Sequence, residues 1–170
     1  MRLRRNARER AGEAASGNKK TMQTSLFSAK AEYACIAMLE LAARYNDLQP
    51  VPLKAIHETH GISERFLVQI LLQLKGAGLV HSTRGASGGY QLARPPEQIS
   101  LSAIINVIDR PERSAKKTHG RDSVIPTMMV QTIRSIWKVV AEEQQRTLDE
   151  TSLADLVRRS QESFAVSYQI

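Results

Sequence analysis

The chain has one cysteine, Cys35, in 170 residues. A lone cysteine excludes an intramolecular disulfide framework and fits a reducing cytoplasm. No run of about 18 apolar residues exists, which excludes a transmembrane helix. The N-terminus is basic, yet no apolar stretch follows it, so it does not read as a secretory signal. No nucleophile–base pair and no metal-ligand set stands out. The glycines between Gly85 and Gly89 lack the Gly-Lys-Ser/Thr ending and the following helix of a phosphate-binding loop. These absences argue against an enzyme and against a membrane protein.

What is present in excess is positive charge. The formal net charge is +7. Residues 1 to 21 hold seven Lys or Arg and two Glu, a balance of +5. The remainder therefore carries 17 basic and 15 acidic residues, only +2. The high pI describes the tail and not the part expected to fold. Residues 1–24 are expected to be a basic, disordered extension, because they offer too little apolar surface to fold alone. Two readings of this tail stay open. It adds salt-sensitive phosphate contacts, or translation begins at Met22.

Residues 61–94 organise the rest. Gly61 is expected to close one helix and Ser63 to cap the next. Phe66, Leu67, Ile70, Leu71 and Leu74 recur at helical spacing and form a stripe for burial. Gly76 and Gly78 end the helix. Leu79–Thr83 and Tyr90–Ala93 read as two short strands joined by a glycine-rich tip led by Arg84. A helix fits the major groove of DNA, and its first turn reaches base edges. Ser63, Glu64, Arg65, Val68 and Gln69 lie at that end. Arg65 suits a guanine edge, Gln69 an adenine edge, Glu64 a cytosine amine and Val68 a thymine methyl. Arg84 on its glycine tip, with Ser87 and Gly88, suits a narrow minor groove. The bland alternative is a solvated helix face and an ordinary hairpin.

Upstream, Ser28 is expected to cap a helix reaching about Asn46, with Tyr33, Ile36, Ala37, Leu39, Glu40, Leu41 and Ala43 as its apolar band. Cys35 sits mid-helix and reads as a small buried hydrophobe before it reads as a redox group. Leu53–His60 is a short helix with Leu53 and Ile56 inward. His57 and His60 lie on one turn of it. Zinc needs three or four ligands, so favourable charge at a helix end explains them better. Pro95 and Pro96 break the chain, and Ser100 starts another helix. Residues 109–126 form a polar loop. Thr127 to about Leu148 is the longest helix, with a seam of Met129, Ile133, Ile136, Trp137 and Val140. A seam with so few partners in so small a chain points to dimerisation; packing against the chain's own core is the alternative. Thr151 or Ser152 caps a last helix with Leu153, Leu156 and Val157 inward.

Several of these pieces, in this order, resemble the Rrf-two (BadM) family of winged helix-turn-helix transcription regulators. They are Ala29–Ala34, Gly61–Ser63, Phe66–Leu71, Leu74, Gly78–Val80, Ser82, Arg84–Gly85, Gly88–Pro95 and Ile99–Leu101. The resemblance covers about Leu26 to Ile108 and continues weakly beyond. It implies a mainly α fold: a winged helix-turn-helix over 25–108, a small two-stranded wing, the 109–126 loop, and dimerisation helices over 127–165. It also implies that Ser28, Lys30 and Tyr33 approach phosphates; Lys75 and the wing amides are expected to help position the chain. The implied function is a homodimeric, sequence-specific DNA-binding regulator, a repressor, on a pseudo-palindromic operator. The alternative is a winged-helix protein-interaction module. Cluster-bearing members of the family carry three cysteines in the 109–126 region. This chain has none there and only His119 as a ligand, so no cofactor is expected. A variant cluster shared between subunits through Cys35 is the remaining option. The expected partners are double-stranded DNA, a second copy and a small-molecule or protein effector, with no membrane.

Overall fold

The computed structural model describes residues 26–47, 49–85, 87–109 and 127–167. Six α-helices and one two-stranded sheet follow in order: α1 (Ala29–Ala43), α2 (Leu53–His60), α3 (Glu64–Gly76), β1 (Val80–Thr83), β2 (Gly89–Leu92), α4 (Leu101–Ile108), α5 (Met128–Glu150) and α6 (Leu153–Ser167). A short 3-10 turn, Pro96–Gln98, precedes α4. The mainly α, winged helix-turn-helix architecture expected from the residues is the one observed.

Local chemistry sets the helix ends. The Ser28 hydroxyl accepts from the Ala31 amide at 3.0 Å and caps α1. Ser100 does the same for α4 through Ala103. Gly61 ends α2 at φ +67, a left-handed conformation that costs a glycine nothing, and its amide donates to the His57 carbonyl. Ser152, not Thr151, caps α6: its hydroxyl accepts from the Asp155 amide, and the Asp155 carboxylate accepts from the Ser152 amide. That reciprocal arrangement is a capping box with aspartate in the glutamate position. The Ser152 hydroxyl and amide, with Arg158 nearby, hold the Asp155 carboxyl below its ordinary range.

Three expectations need correction. Ser63 stands at the N-cap position of α3, but its side chain makes no capping bond. In α1 the buried face is Ala31, Ala34, Ala37, Met38, Leu41 and Ala42, whereas Tyr33 and Ala43 are exposed. Four alanines thus share the inner side of α1 with the large Met38 and Leu41. The helix also stops at Ala43, short of Asn46.

One core unites the elements. Met38 and Leu41 of α1, Ile56 of α2, Leu67, Ile70, Leu71 and Leu74 of α3, Ile104 of α4 and Leu153 of α6 are all buried together. Each such side chain stabilises by about 1.5–3 kcal/mol relative to exposure. Helix α6 returns to this core: Leu153 is fully buried, and its amide donates to the Ile99 carbonyl at 2.9 Å. Helix α5 contributes no buried residue.

Candidate nucleic-acid interface

The two-stranded wing is antiparallel, with Val80 opposite Leu92 and Thr83 opposite Gly89. Val51 extends it as a third edge, exchanging two 2.9 Å backbone hydrogen bonds with Tyr90. Gly89 is required by that contact, because a Cβ there would lie 2.4 Å from the Val51 carbonyl oxygen. At the tip the Gly88 amide donates to the Gly85 carbonyl at 3.0 Å. Arg84 and Ser87 project there as exposed side chains. The Lys75 ammonium, on the last turn of α3, donates to the Ser82 hydroxyl of β1 at 2.5 Å. That bond ties the wing to the helix.

Helix α3 divides cleanly. Leu67, Ile70, Leu71 and Leu74 are fully buried. Glu64, Arg65, Val68, Gln69, Leu72, Gln73 and Lys75 are exposed on the other side. Phe66 sits at the boundary, in an edge-on contact with Tyr33 of α1 at 5.7 Å between ring centroids. The Lys30 ammonium donates to the Gln73 side-chain oxygen at 2.9 Å. The first turn of α1 therefore flanks the exposed face of α3. Lys30 and Tyr33 of α1 lie beside α3, whose outward side carries Arg65, Val68 and Gln69, and Lys75 links that helix to β1 of the wing.

Ser28 is engaged differently from the sequence expectation. Its hydroxyl and its amide both donate to the Asp109 carboxylate, the amide at 3.0 Å. A carboxylate at a helix N-terminus is favourable, so Asp109 holds the place where an approaching phosphate would otherwise be bound. Asp109 is the last described residue before 110–126, a segment that includes His119 and lies outside the described residues.

Leu72 is the residue that the sequence reading passed over. It stands amid apolar neighbours in Ile70–Leu74 and was not set apart from them. A signal was available: it lies seven residues after Arg65, two helical turns on, and hence on the same outward side.

Hydrogen bonds account for His57 and His60. A ring nitrogen of His57 lies 2.8 Å from the Ile62 carbonyl. A ring nitrogen of His60 lies 3.0 Å from Glu40, which also pairs with Arg44. The first contact ties α2 to the turn that follows it, and the second ties α2 to α1. Among the described residues no three His, Cys, Asp or Glu side chains come together as a metal site. Burial first, then the nearby Asp109 and Glu32 carboxylates, pushes the Cys35 thiol up to about 11. An iron–sulfur cluster needs thiolates, and mostly several of them. The single cysteine of this chain, held as a thiol inside α1, does not fit that donor set.

A family model described as an iron-dependent transcriptional regulator, Rrf2, matches residues 27–159. The chain is 35% identical over 130 residues to the HTH-type transcriptional regulator IscR of Aliivibrio salmonicida, covering 76% of each protein. Among solved structures it resembles CymR, the global cysteine regulator of B. subtilis, with a TM-score of 0.66 and 33% identity over 78% of this chain and 96% of that one. It resembles IscR of T. potens similarly, with a TM-score of 0.65 and 34% identity over 84% and 93%.

Proposed function

The chain belongs to the Rrf2 family of DNA-binding transcription regulators, which are not enzymes, and on that premise we propose that it acts as a homodimeric repressor on a pseudo-palindromic operator. The observation that carries this reading is the outward face of α3. It bears Arg65 and Gln69, both exposed, and is flanked by the wing. Arg65 and Gln69 specify bases in the major groove, with Ser63, Glu64 and Val68 completing the first two turns. Lys30, Tyr33 and Lys75 position the protein on phosphates. Arg84, with Ser87 and Gly88, enters the adjacent minor groove. Ser28 contributes only when Asp109 releases it.

Dimerisation is assigned to α5. Its seam of Met129, Ile133, Ile136, Trp137 and Val140 is exposed throughout, with Trp137 65% and Met129 84% accessible. An apolar strip of this extent marks an interaction surface, and a second copy of the same helix is the simplest complement under two-fold symmetry. In this division residues 25–108 read DNA, and residues 127–165 join the subunits.

An effector, a small molecule or a protein, supplies the signal. An apolar cavity of about 340 Å³ between α1, α4, α5 and α6, lined by Cys35, Leu39, Leu101, Leu148 and Leu156, is a place for a small one. No helix among the described residues is long and apolar enough to cross a membrane. A DNA-binding regulator of this kind works in the cytoplasm.

The test is selection of sites from a random DNA pool by the full chain and by a chain starting at Met22. A discrete pseudo-palindrome from both is the expected result. Binding by the full chain alone, without sequence preference, would instead assign binding to the basic tail and remove Arg65 and Gln69 from base reading.

A further inference from the structure

Leu72 is 58% exposed at the middle of the face of α3 that points away from the core. Val68, one turn earlier, is 38% exposed. An isolated exposed leucine needs no explanation. This one is neither isolated nor at the margin. Its neighbours one turn back on the same side are Val68 and Gln69, and two turns back is Arg65. Gly76, one turn on and also exposed, adds no side chain that would cover it. The result is a short apolar strip bordered by Glu64, Arg65, Gln69, Gln73 and Lys75.

We infer that Val68 and Leu72 form a reader of pyrimidine 5-methyl groups, and that Leu72 is a specificity-determining residue of this protein. The inference rests on the groove-reading assignment of α3 made above. Arg65, Lys75, Gln69 and Gln73 around the strip, and Lys30 beside Gln73, complement a polyanion, and the exposed Glu64 at its N-terminal end suits a cytosine amine. They do not suit an apolar protein groove. In the major groove the apolar feature on offer is the C5 methyl of thymine. Leu72 has no hydrogen-bonding group with which to read anything else. The operator half-site therefore carries thymine under the second and third turns of α3, level with Gln69 for Val68 and beyond it for Leu72.

The experiment uses the full chain and the sites recovered from the random pool. Each thymine of a half-site is replaced singly by deoxyuridine, which removes the methyl and changes no hydrogen bond. At one or two positions affinity falls about fourfold, the value of one buried methyl-sized group. Leu72→Ala binds the thymine and uracil operators alike at one of these positions, and Val68→Ala does so at the other if there are two. Alanine is the better helix former, so α3 persists, and circular dichroism checks this. Uracil tolerated at every position overturns the inference and leaves the operator reading standing; that is also the outcome if the strip serves a protein partner. Discrimination unchanged in both variants overturns it equally. Failure to recover any site removes this inference and the groove-reading assignment together.

Discussion

Helices α3 and α5 look alike in sequence and end up in opposite situations. Each carries large apolar residues at three-four spacing. In α3, Leu67, Ile70, Leu71 and Leu74 are buried against α1, α2 and α4. In α5, Met129, Ile133, Ile136, Trp137 and Val140 all face solvent in the single chain. Periodicity states that a helix has an apolar side. It does not state whether the cover comes from the same chain. The difference arises because α3 is enclosed by elements before and after it, whereas α5 meets the core only towards its end, where Leu148 is half-buried.

The largest expected effect tests the inner side of α3. Leu71→Ala should cost about 2–5 kcal/mol of folding stability, through lost transfer energy and a cavity. Denaturant melts should show that loss independent of protein concentration. Trp137→Ala on α5 should do the reverse. It should leave the melt of a dilute monomer unchanged and weaken association by about 2 kcal/mol or more. Sedimentation across a dilution series measures it. An association constant indifferent to Trp137, Ile133 and Ile136 would erase the contrast between the helices.

On the outer side of α3, Arg65→Ala should cost about 1–3 kcal/mol of operator affinity and relax one base position. Equal loss on every sequence would make Arg65 a phosphate contact. The smallest effect concerns Cys35. Because its thiol is pushed up to about 11 from the ordinary 9.0, it stays protonated through neutral pH. Its contribution to stability is complete below pH 9 and declines as pH rises toward 11. Alkylation of the folded chain should be slow at pH 8 and accelerate only near pH 11, followed by mass spectrometry of the one cysteine. Rapid alkylation at pH 8 would mean that α1 opens there.

Much of the site was legible because each piece has local chemistry. Gly61, the α3 stripe and the Arg84-to-Gly89 tip announce a turn, a helix and a hairpin within 30 residues, and the structure has all three. The caps at Ser28 and Ser100 were equally plain. The inner side of α1 was not. Close helix packing selects alanines there, and their burial depends on neighbours that a propensity pattern does not contain. Leu72 is apolar like the buried stripe, yet its place two turns after Arg65 already puts it on the outer side, and the structure leaves it 58% exposed there. The Ser28–Asp109 contact joins residues 81 apart, a separation at which no spacing rule operates.

The sequence by itself determined the element order, the family and the chemistry available to the DNA-facing helix, because capping, periodicity and side-chain type act within a few residues. Tertiary structure decided which apolar faces are covered, that Asp109 occupies the first turn of α1, and that α6 belongs to the core while α5 stands apart. Those outcomes depend on long-range packing, where burial is shared among distant residues and one helix's exposure is set by where all the others lie.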